Sequence, residues 1–434
     1  MLTIYTTSSS PRLRYMFDLV FKQMMGIDYV ITHDSNEFIS GPEAKLNYSE
    51  SQFGDELFFY SSGFLFEKGI RQQEISVFEW DHTKCFFATH PKYVFPFDPF
   101  AAAFYMVSRY EEYLPHKRDV YDRFDAKECL AFEKGFLHKP VVNIWVKKIQ
   151  KLISDRYPQM KFPKRSYSYI STIDIDNAYA YKEKGLMRTG GAILRSISKL
   201  NFKEVSDRVT VLSGRKKDPY DTYDQLHAIQ QKYDISCIYF FLLGDYGEND
   251  KNVSISRKKL QSLIKSLADY SDVGIHPSFG SNSDPSKLPK EISRLRKVLK
   301  RDVTKSRQHF LMMYFPATYR RLIDHDITDD YTMGFSGEVG FRAGICTPFY
   351  FYDLDLETST KLKLHPFAVM DATLKYYMKV KPEDAMRYIE PLIKEVKDVN
   401  GTFISLWHNE SLSEMSPWEG WRDVYEQVVK LAAH

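Results

Sequence analysis

The sequence YSYISTIDID, residues 167–176, is the clearest strand in the chain. Its apolar and β-branched residues predict a buried strand, and two carboxylates, Asp174 and Asp176, stand at its end. Residues two apart on a strand point to the same face, and two like charges are costly to bury unless a cation or proton is shared. The pair therefore indicates a functional site, or it lies beyond the strand and caps the next helix.

After this strand the chain alternates strand-like and helix-like segments. Further apolar runs predict strands at 236–243, 273–276, 307–311, 331–335, near Phe341 and at 402–407. Helical patterns fill most of the gaps, among them 222–233 and 288–300, and repeated βα units indicate an α/β fold with a parallel sheet. About seven units over roughly 265 residues are typical of a closed or nearly closed barrel. A doubly wound open sheet is the alternative.

Residues 1–160 show a different pattern and predict a smaller α+β domain of unknown role. One helix begins with Asp98 as N-cap and runs to Pro115, and a second begins near Pro140. A proline-containing linker follows the second helix. The predicted second domain, the barrel, covers residues 165–434.

The composition is that of a soluble folded protein, with 43% hydrophobic and 27% charged residues. The net charge of +3 is too close to zero to indicate a nucleic-acid partner. No stretch approaches the roughly 18 apolar residues of a transmembrane span, and the N-terminus lacks the pattern of a secretory signal. The four cysteines form no CxxC pair. We therefore expect a cytoplasmic location.

Basic residues cluster in two places. Eight Lys/Arg stand against three Asp/Glu between Arg188 and Asp218, and nine against two between Lys287 and Arg307. The simpler interpretation is the solvated face of amphipathic helices, and the alternative is an anionic ligand or a membrane surface. The position of the first cluster after strand 167–176 also suggests a lid over the barrel opening.

Polar residues with catalytic chemistry follow several other predicted strands. His276 ends an apolar run in VGIHPSFGSN, and Arg307 and His309 share one strand face in SRQHFL. Arg342 lies between two glycines in GFRAGICTPF, and His408 ends the strand in ISLWHNE. Each of these has a structural explanation when taken alone, as a core histidine, a salt bridge or a surface arginine. Together they occupy the strand ends at which a barrel collects its catalytic groups.

The order of these motifs resembles the polysaccharide deacetylase family, the NodB-homology domain of carbohydrate esterase family 4, over about residues 165–430. The resemblance implies a distorted (β/α)7 barrel. The preceding segment, DPFAAAFYMVSRYEEYL followed by HKPVVNIW, is similar to an uncharacterised region found before such domains in Bacteroidetes proteins.

The resemblance implies a role for each motif residue. STIDID offers Asp174 as catalytic base and Asp176 as metal ligand, and HPSFG retains His276 as a second ligand. Gly280 stands where the family has another histidine. The candidates for the missing ligand are His309, Asn282 and His408.

The resemblance also implies that Arg342 orients the base and that His408 supplies the acid. The expected cofactor is a divalent metal, zinc first, with cobalt, nickel or manganese as alternatives. The predicted substrate-binding residues are Trp407, Phe279, Asn282 and Phe349.

Three functions follow from these residues. The first is a metal-dependent hydrolase that removes acetyl groups from an N-acetylated or O-acetylated carbohydrate. The second is an inactive deacetylase-like barrel that binds a glycan or a partner protein, because the second motif histidine is missing. The third is a glycoside hydrolase that uses Asp174 with Glu338 or Glu410.

Overall fold

The computed structural model describes residues 1–41 and 44–433. Its strands are β1 (Leu2–Tyr5), β2 (Tyr29–Thr32), β3 (Lys45–Ser49), β4 (Leu57–Tyr60), β5 (Phe78–Trp80), β6 (Thr83–Cys85), β7 (Ser168–Ile175), β8 (Ser236–Leu242), β9 (Asp272–His276), β10 (Lys305–Ser306), β11 (Asp329–Asp330), β12 (Phe349–Asp353), β13 (Thr358–Leu364), β14 (Val369–Met370) and β15 (Thr402–His408).

The α-helices lie between these strands. They are α1 (Pro11–Phe17), α2 (Ser35–Ser40), α3 (Pro99–Val107), α4 (Leu130–Glu133), α5 (Val141–Arg156), α6 (Gly185–Ser198), α7 (Phe202–Leu212), α8 (Tyr223–Tyr233), α9 (Lys258–Ala268), α10 (Phe279–Ser283), α11 (Lys287–Leu299), α12 (Ala317–Asp324), α13 (Pro382–Asp398) and α14 (Trp421–Ala433). Short π-helical segments cover Asp18–Met25 and Thr373–Tyr377.

The main sheet has nine strands in the order β12-β13-β11-β10-β9-β8-β7-β15-β14. All neighbours are parallel except β12 and β13, which form an antiparallel pair. The predicted strand 167–176 is β7, the third strand from the β14 edge of the sheet. The α/β class is therefore confirmed, and the carboxyl ends of the parallel strands share one edge.

The predicted closed barrel is not what the structure shows. Among the described residues the sheet is open, and its edge strands are β12 and β14. The segment near Phe341, predicted as a strand, is a loop. The backbone N–H of Phe341 donates to the Leu137 carbonyl at 2.8 Å, so this loop bonds to the N-terminal region and not to a neighbouring strand of the main sheet.

The first 60 residues form a second parallel sheet in the order β2-β1-β3-β4. Helix α3 begins as predicted, because the Asp98 carboxylate accepts from the N–H groups of Phe100 and Ala101. The helix ends at Val107, before the predicted stop at Pro115. The reason is Arg109, whose φ of 54° is left-handed and cannot continue an α-helix.

One hydrophobic core connects the two sheets and includes buried residues from β1 to α14. The Tyr15 hydroxyl donates to the Tyr350 carbonyl at 2.7 Å, and its ring lies 4.9 Å from that of Tyr352. Arg12 is fully buried and pairs with Glu357. The predicted division between 1–160 and 165–434 thus separates two sheets that share a core.

No helix of the described residues combines the length and the apolar character needed to cross a bilayer. All four cysteines are free and buried.

Candidate metal centre

A cavity of about 400 Å³ opens at the edge of the main sheet where the parallel strands end. Asp174 and Asp176 reach it from the end of β7, and His276 reaches it from the end of β9. His309 reaches it from a 3-10 turn that follows β10. His408 comes from the end of β15. The parallel topology therefore brings together side chains that are far apart along the chain.

Three of these residues, Asp176, His276 and His309, have ligand atoms within 4.8 Å of one another. Asp176 Oδ1 lies 3.3 Å from His276 Nε2, and Asp176 Oδ2 lies 3.4 Å from His309 Nε2. The group could hold a metal ion, and it includes His309, one of the three candidates for the ligand that the sequence motif lacks at Gly280.

Hydrogen bonds assign the tautomers of both histidines. His276 Nδ1 lies 2.5 Å from the Arg307 carbonyl, which can only accept, so Nδ1 carries the proton. His309 Nδ1 lies 2.9 Å from Asp250 Oδ1, which accepts in the same way. Both Nε2 atoms are left to face Asp176. Metal-binding histidines are held in this manner, with the outer nitrogen bonded to a carbonyl or a carboxylate.

The fit of a cation is supported by an unpartnered atom. Asp176 Oδ1 is buried and accepts no hydrogen bond. A buried carboxylate oxygen without a donor is costly and uncommon, and a cation between the three side chains would remove this cost.

The electrostatics of the group are those of a partly buried carboxylate among buried imidazoles. Burial lowers the pKa of His309, but Asp176 and Asp250 raise it more, to about 9. Burial raises the pKa of Asp176, but His309 and His276 bring it well below its usual value. In the metal-free protein a proton on His309 therefore balances part of the negative charge.

Asp174 is held by Arg307, and the predicted partner Arg342 was wrong. Arg307 Nη1 donates to Asp174 Oδ1 at 3.1 Å, and both side chains are buried. Arg342 instead donates to both oxygens of Glu112, at 2.9 and 2.6 Å, and to the Gly334 carbonyl at 2.9 Å. The loop of Arg342 packs on the N-terminal region, which directs the guanidinium away from the cavity.

His408 is fixed by a carboxylate that the sequence analysis missed. Its Nδ1 lies 2.8 Å from Asp371 Oδ1, and its backbone N–H donates to Asp371 Oδ2 at 2.8 Å. Its Nε2 faces the cavity, 3.9 Å from Asp176 Oδ2. Burial lowers the pKa of His408, but Asp371 and Asp176 raise it well above its usual value. The available signal was the position of Asp371 directly after the apolar run FAVM.

Two predicted substrate-binding aromatics, Trp407 and Phe349, are fully buried in the core. Trp407 packs on Tyr425 with ring centroids 5.2 Å apart. Successive side chains of a strand point to opposite faces, so Trp407 points away from the cavity that His408 lines. These two predictions are therefore wrong.

Phe279 and Asn282 lie near the cavity without lining it. Phe279 packs on Phe310 at 5.4 Å, and Asn282 Nδ2 lies 3.4 Å from the Ser278 carbonyl. The cavity is lined by other aromatic residues, which the sequence analysis missed. They are Tyr121, Phe310, Tyr376, Tyr377 and Trp418.

The two glutamates of the glycosidase hypothesis lie in different places. Glu410 lines the cavity. Glu338 is half-buried near Lys127 and Asp125. Burial and the charge of Asp176 raise the pKa of Glu410.

Residues 2–158 match the model of a family of unknown function, DUF7033. No curated protein matches the chain.

Solved structures with similar folds include a protein from Mycobacterium smegmatis classed provisionally as a polysaccharide deacetylase, with 14% identity, a TM-score of 0.40, and coverage of 63% of this chain and 86% of that one. A CE4 family pseudoenzyme from Bacillus anthracis has 11% identity and a TM-score of 0.28, and the match covers 61% of this chain and 62% of the pseudoenzyme. The catalytic domain of a peptidoglycan N-acetylglucosamine deacetylase from Eubacterium rectale has 10% identity and a TM-score of 0.26, and the match covers 62% of this chain and 85% of that domain. These likenesses are remote.

Proposed function

We propose that this protein is a metal-dependent deacetylase that acts on an acetylated carbohydrate. The observation that carries the proposal is the convergence of Asp176, His276 and His309 on one point, with Asp174 and His408 beside them. A ligand group flanked by a carboxylate and an imidazole provides what acyl-group hydrolysis needs, namely a base, an acid and a place for an electrophile.

The three ligands would hold a divalent cation. An Asp-His-His donor set suits zinc, and cobalt, nickel and manganese are alternatives. When bound, the cation would polarise the acetyl carbonyl and lower the pKa of a coordinated water.

Asp174 would act as the base that removes a proton from the attacking water. Arg307 holds one of its oxygens, and the other lies 3.6 Å from His276 Nε2, on the side of the metal ligands. Arg307 is itself fixed, because it also donates to Thr172 Oγ1 at 2.7 Å and to the Tyr331 carbonyl at 3.0 Å. The base is thus positioned before substrate binds.

His408 would act as the acid. Asp371 holds the Nδ1 side of the ring, and Nε2 faces the cavity. The raised pKa favours the protonated imidazole, which can donate to the departing amine or alcohol.

The aromatic lining of the cavity supports a carbohydrate substrate. Rings such as those of Tyr376 and Trp418, 5.2 Å apart, offer flat apolar surfaces beside the polar centre. A mostly apolar wall with a few convergent polar groups is typical of small-molecule sites. Tyr121 extends this wall from the N-terminal region.

The two other hypotheses make different predictions for the same residues. An inactive binding protein is consistent with Gly280 in place of the motif histidine, but His309 supplies an imidazole to the same centre. A glycosidase would use Asp174 and Glu410 as a carboxylate pair, whereas imidazoles lie around Asp176 and favour metal chemistry.

The proposal is tested by metal analysis and product analysis of the purified protein. We expect a bound divalent metal, and release of acetate from acetylated amino-sugar oligomers that stops after chelation and returns when metal is restored. Protein that binds metal or glycan without releasing acetate would contradict the proposal, and new reducing ends would indicate a glycosidase.

Asp174→Asn should lower acetate release by about a hundredfold to ten-thousandfold, the usual contribution of a general base, while bound metal is retained. Asp353→Asn is the matched control, because Asp353 is also buried and paired with an arginine, Arg320, at 2.6 Å outside the cavity. We expect similar losses of stability in the two variants and normal turnover in the control. Normal turnover of Asp174→Asn would remove this residue from the mechanism.

A further inference from the structure

Helices α6 and α7 expose their apolar residues to solvent. Leu186 and Met187 are 92% and 91% exposed. The other exposed apolar residues of this α6–α7 pair, which we define as residues 185–212, are Leu194, Ile197, Leu200, Phe202, Val209 and Leu212. In α6 the only buried residue is Ser196. An amphipathic helix normally buries its apolar face, so this face is unpartnered within the chain.

Helix α11 shows that a basic amphipathic sequence does not by itself produce this exposure. It belongs to the second basic cluster, and its Leu288, Ile292 and Leu295 are buried in the core. Its charges are therefore the solvated face of an ordinary helix, as the simpler interpretation predicted. The α6–α7 pair carries the first cluster and differs in where its apolar residues point.

The α6–α7 pair is an addition to the connection between β7 and β8. A parallel crossover needs about a dozen residues, so the sheet does not require these helices. Asp218 joins the two ends of the added segment. Its buried carboxylate, after α7, accepts from the N–H groups of Ala180, Tyr181 and Lys182, before α6, at 2.7 to 2.9 Å.

Arg188 connects α6 to the rest of the molecule. It donates to the carbonyls of Lys251 and Asn252, at 2.8 and 3.1 Å. These residues adjoin Asp250, which holds His309. The pair is thus attached at both ends, while its apolar face stays exposed.

The charge of the pair indicates what covers this face. Five Lys/Arg against two Asp/Glu lie within residues 185–212, and three more basic residues follow at 215–217. A second copy of the chain would bring the same positive charge against it, which disfavours a symmetric dimer. A lipid surface with anionic headgroups offers both an apolar layer and opposite charge.

We propose that the α6–α7 pair docks on anionic membranes. Leu186, Met187 and Phe202 enter the boundary between headgroups and acyl chains, and basic residues such as Arg195 and Lys199 contact lipid phosphates. The helices lie in the plane of the membrane surface and do not cross it. This inference is independent of the activity at the metal centre.

Vesicle co-sedimentation of the full chain tests the proposal. We expect binding to vesicles of phosphatidylcholine mixed with phosphatidylglycerol, little binding to phosphatidylcholine alone, and weaker binding as salt screens the charges. Leu186→Ser with Met187→Ser should weaken binding by about tenfold or more, through the lost apolar area. Arg195→Glu with Lys199→Glu should weaken it by about fivefold or more per residue.

Matched controls separate the pair from general charge and hydrophobicity. Lys290→Glu with Lys297→Glu removes exposed charge from α11, and Leu356→Ser removes an apolar residue that is 64% exposed elsewhere. Both controls should bind vesicles as the unchanged protein does. The proposal is overturned if anionic vesicles are not bound at low salt, or if the α6–α7 variants bind normally. It is also overturned if those variants instead abolish self-association, which would identify a second copy as the occupant.

Discussion

Asp250 positions His309 in the candidate metal centre. Its Oδ1 accepts from His309 Nδ1 and from the Phe279 N–H, and its Oδ2 accepts from the Gly280 N–H. The same carboxylate therefore fixes one ligand and the loop after another, His276. Gly280, the position of the missing motif histidine, contributes here through its backbone.

Asp250→Asn should weaken metal binding by about 10-fold to 100-fold, because a neutral amide holds the imidazole less firmly and makes it a poorer ligand. Isothermal titration of the metal-free protein measures the change. Asp245→Asn is the control, since Asp245 lies on the same loop and pairs with Arg294 outside the cavity. Equal affinities for the two variants would contradict the role of Asp250.

Metal affinity should depend on pH through His309. Its pKa of about 9 in the metal-free protein means that a proton must leave when Nε2 binds a cation. Apparent affinity should therefore rise with pH, by up to about tenfold per unit below this pKa, and proton release should accompany binding. Titrations in buffers of different ionisation enthalpy measure both effects, and an affinity that is constant across neutral pH would exclude this proton exchange.

The residues found from sequence and those missed differ in how they are placed. Asp174, Asp176, His276 and His408 end long apolar strands, so their meeting point could be predicted from strand direction alone. The partners of these residues depend on loops and on strands of two residues, which carry no periodic signal. For this reason Asp371 was missed and Arg342 was assigned the position that Arg307 occupies.

At the scale of elements, the loop that carries Arg342 is part of the contact between the N-terminal region and the main sheet. Glu112 accepts from Arg342 and, at 2.7 Å, from Arg109 Nε, and all three side chains are buried. Arg109 also donates to the Arg342 carbonyl. These bonds fix a segment that the sequence pattern suggested would be a strand.

Glu112→Gln should lower the free energy of unfolding by about 3–5 kcal/mol, because two buried guanidinium groups lose their common carboxylate. Denaturant unfolding measures the loss, and metal affinity should stay unchanged. Asp155→Asn breaks the exposed pair with Lys151 and should have little effect. If Glu112→Gln lost turnover but kept its stability, this result would support a catalytic role for Arg342.

Several long helices could be predicted within one or two residues, because their apolar spacing and proline signals are local, whereas α6 and α7 were not predicted. Helix α8 was expected at 222–233 and covers Tyr223–Tyr233, and α11 was expected at 288–300 and covers Lys287–Leu299. The β12–β13 hairpin was not predicted, since FYFYD is a continuous aromatic run without the alternation of a half-buried strand.

At the scale of the whole molecule, the shared core makes the two sheets depend on each other. Buried residues of α1, α3 and α5 pack in the same cluster as those of β12 and β13. Arg123, from the N-terminal region, is buried, donates to the Phe310 carbonyl at 2.6 Å and lines the cavity. The N-terminal region therefore belongs both to the core and to the wall of the candidate site.

The full chain should unfold in one cooperative transition by calorimetry, and removal of residues 1–158 should yield aggregated protein, because the truncation uncovers part of the shared core. The full chain should show a single transition both without and with bound metal, and the metal-loaded sample should melt at a higher temperature. Two well-separated transitions, or a folded fragment 165–434, would contradict the dependence.

The origin of the second imidazole has a consequence for genome surveys. In this chain His276 and His309 come from separate βα units and meet only after folding. A search for a fixed interval between two histidines would therefore miss this pair, whereas a search for histidine and carboxylate atoms that lie close together in space would find it.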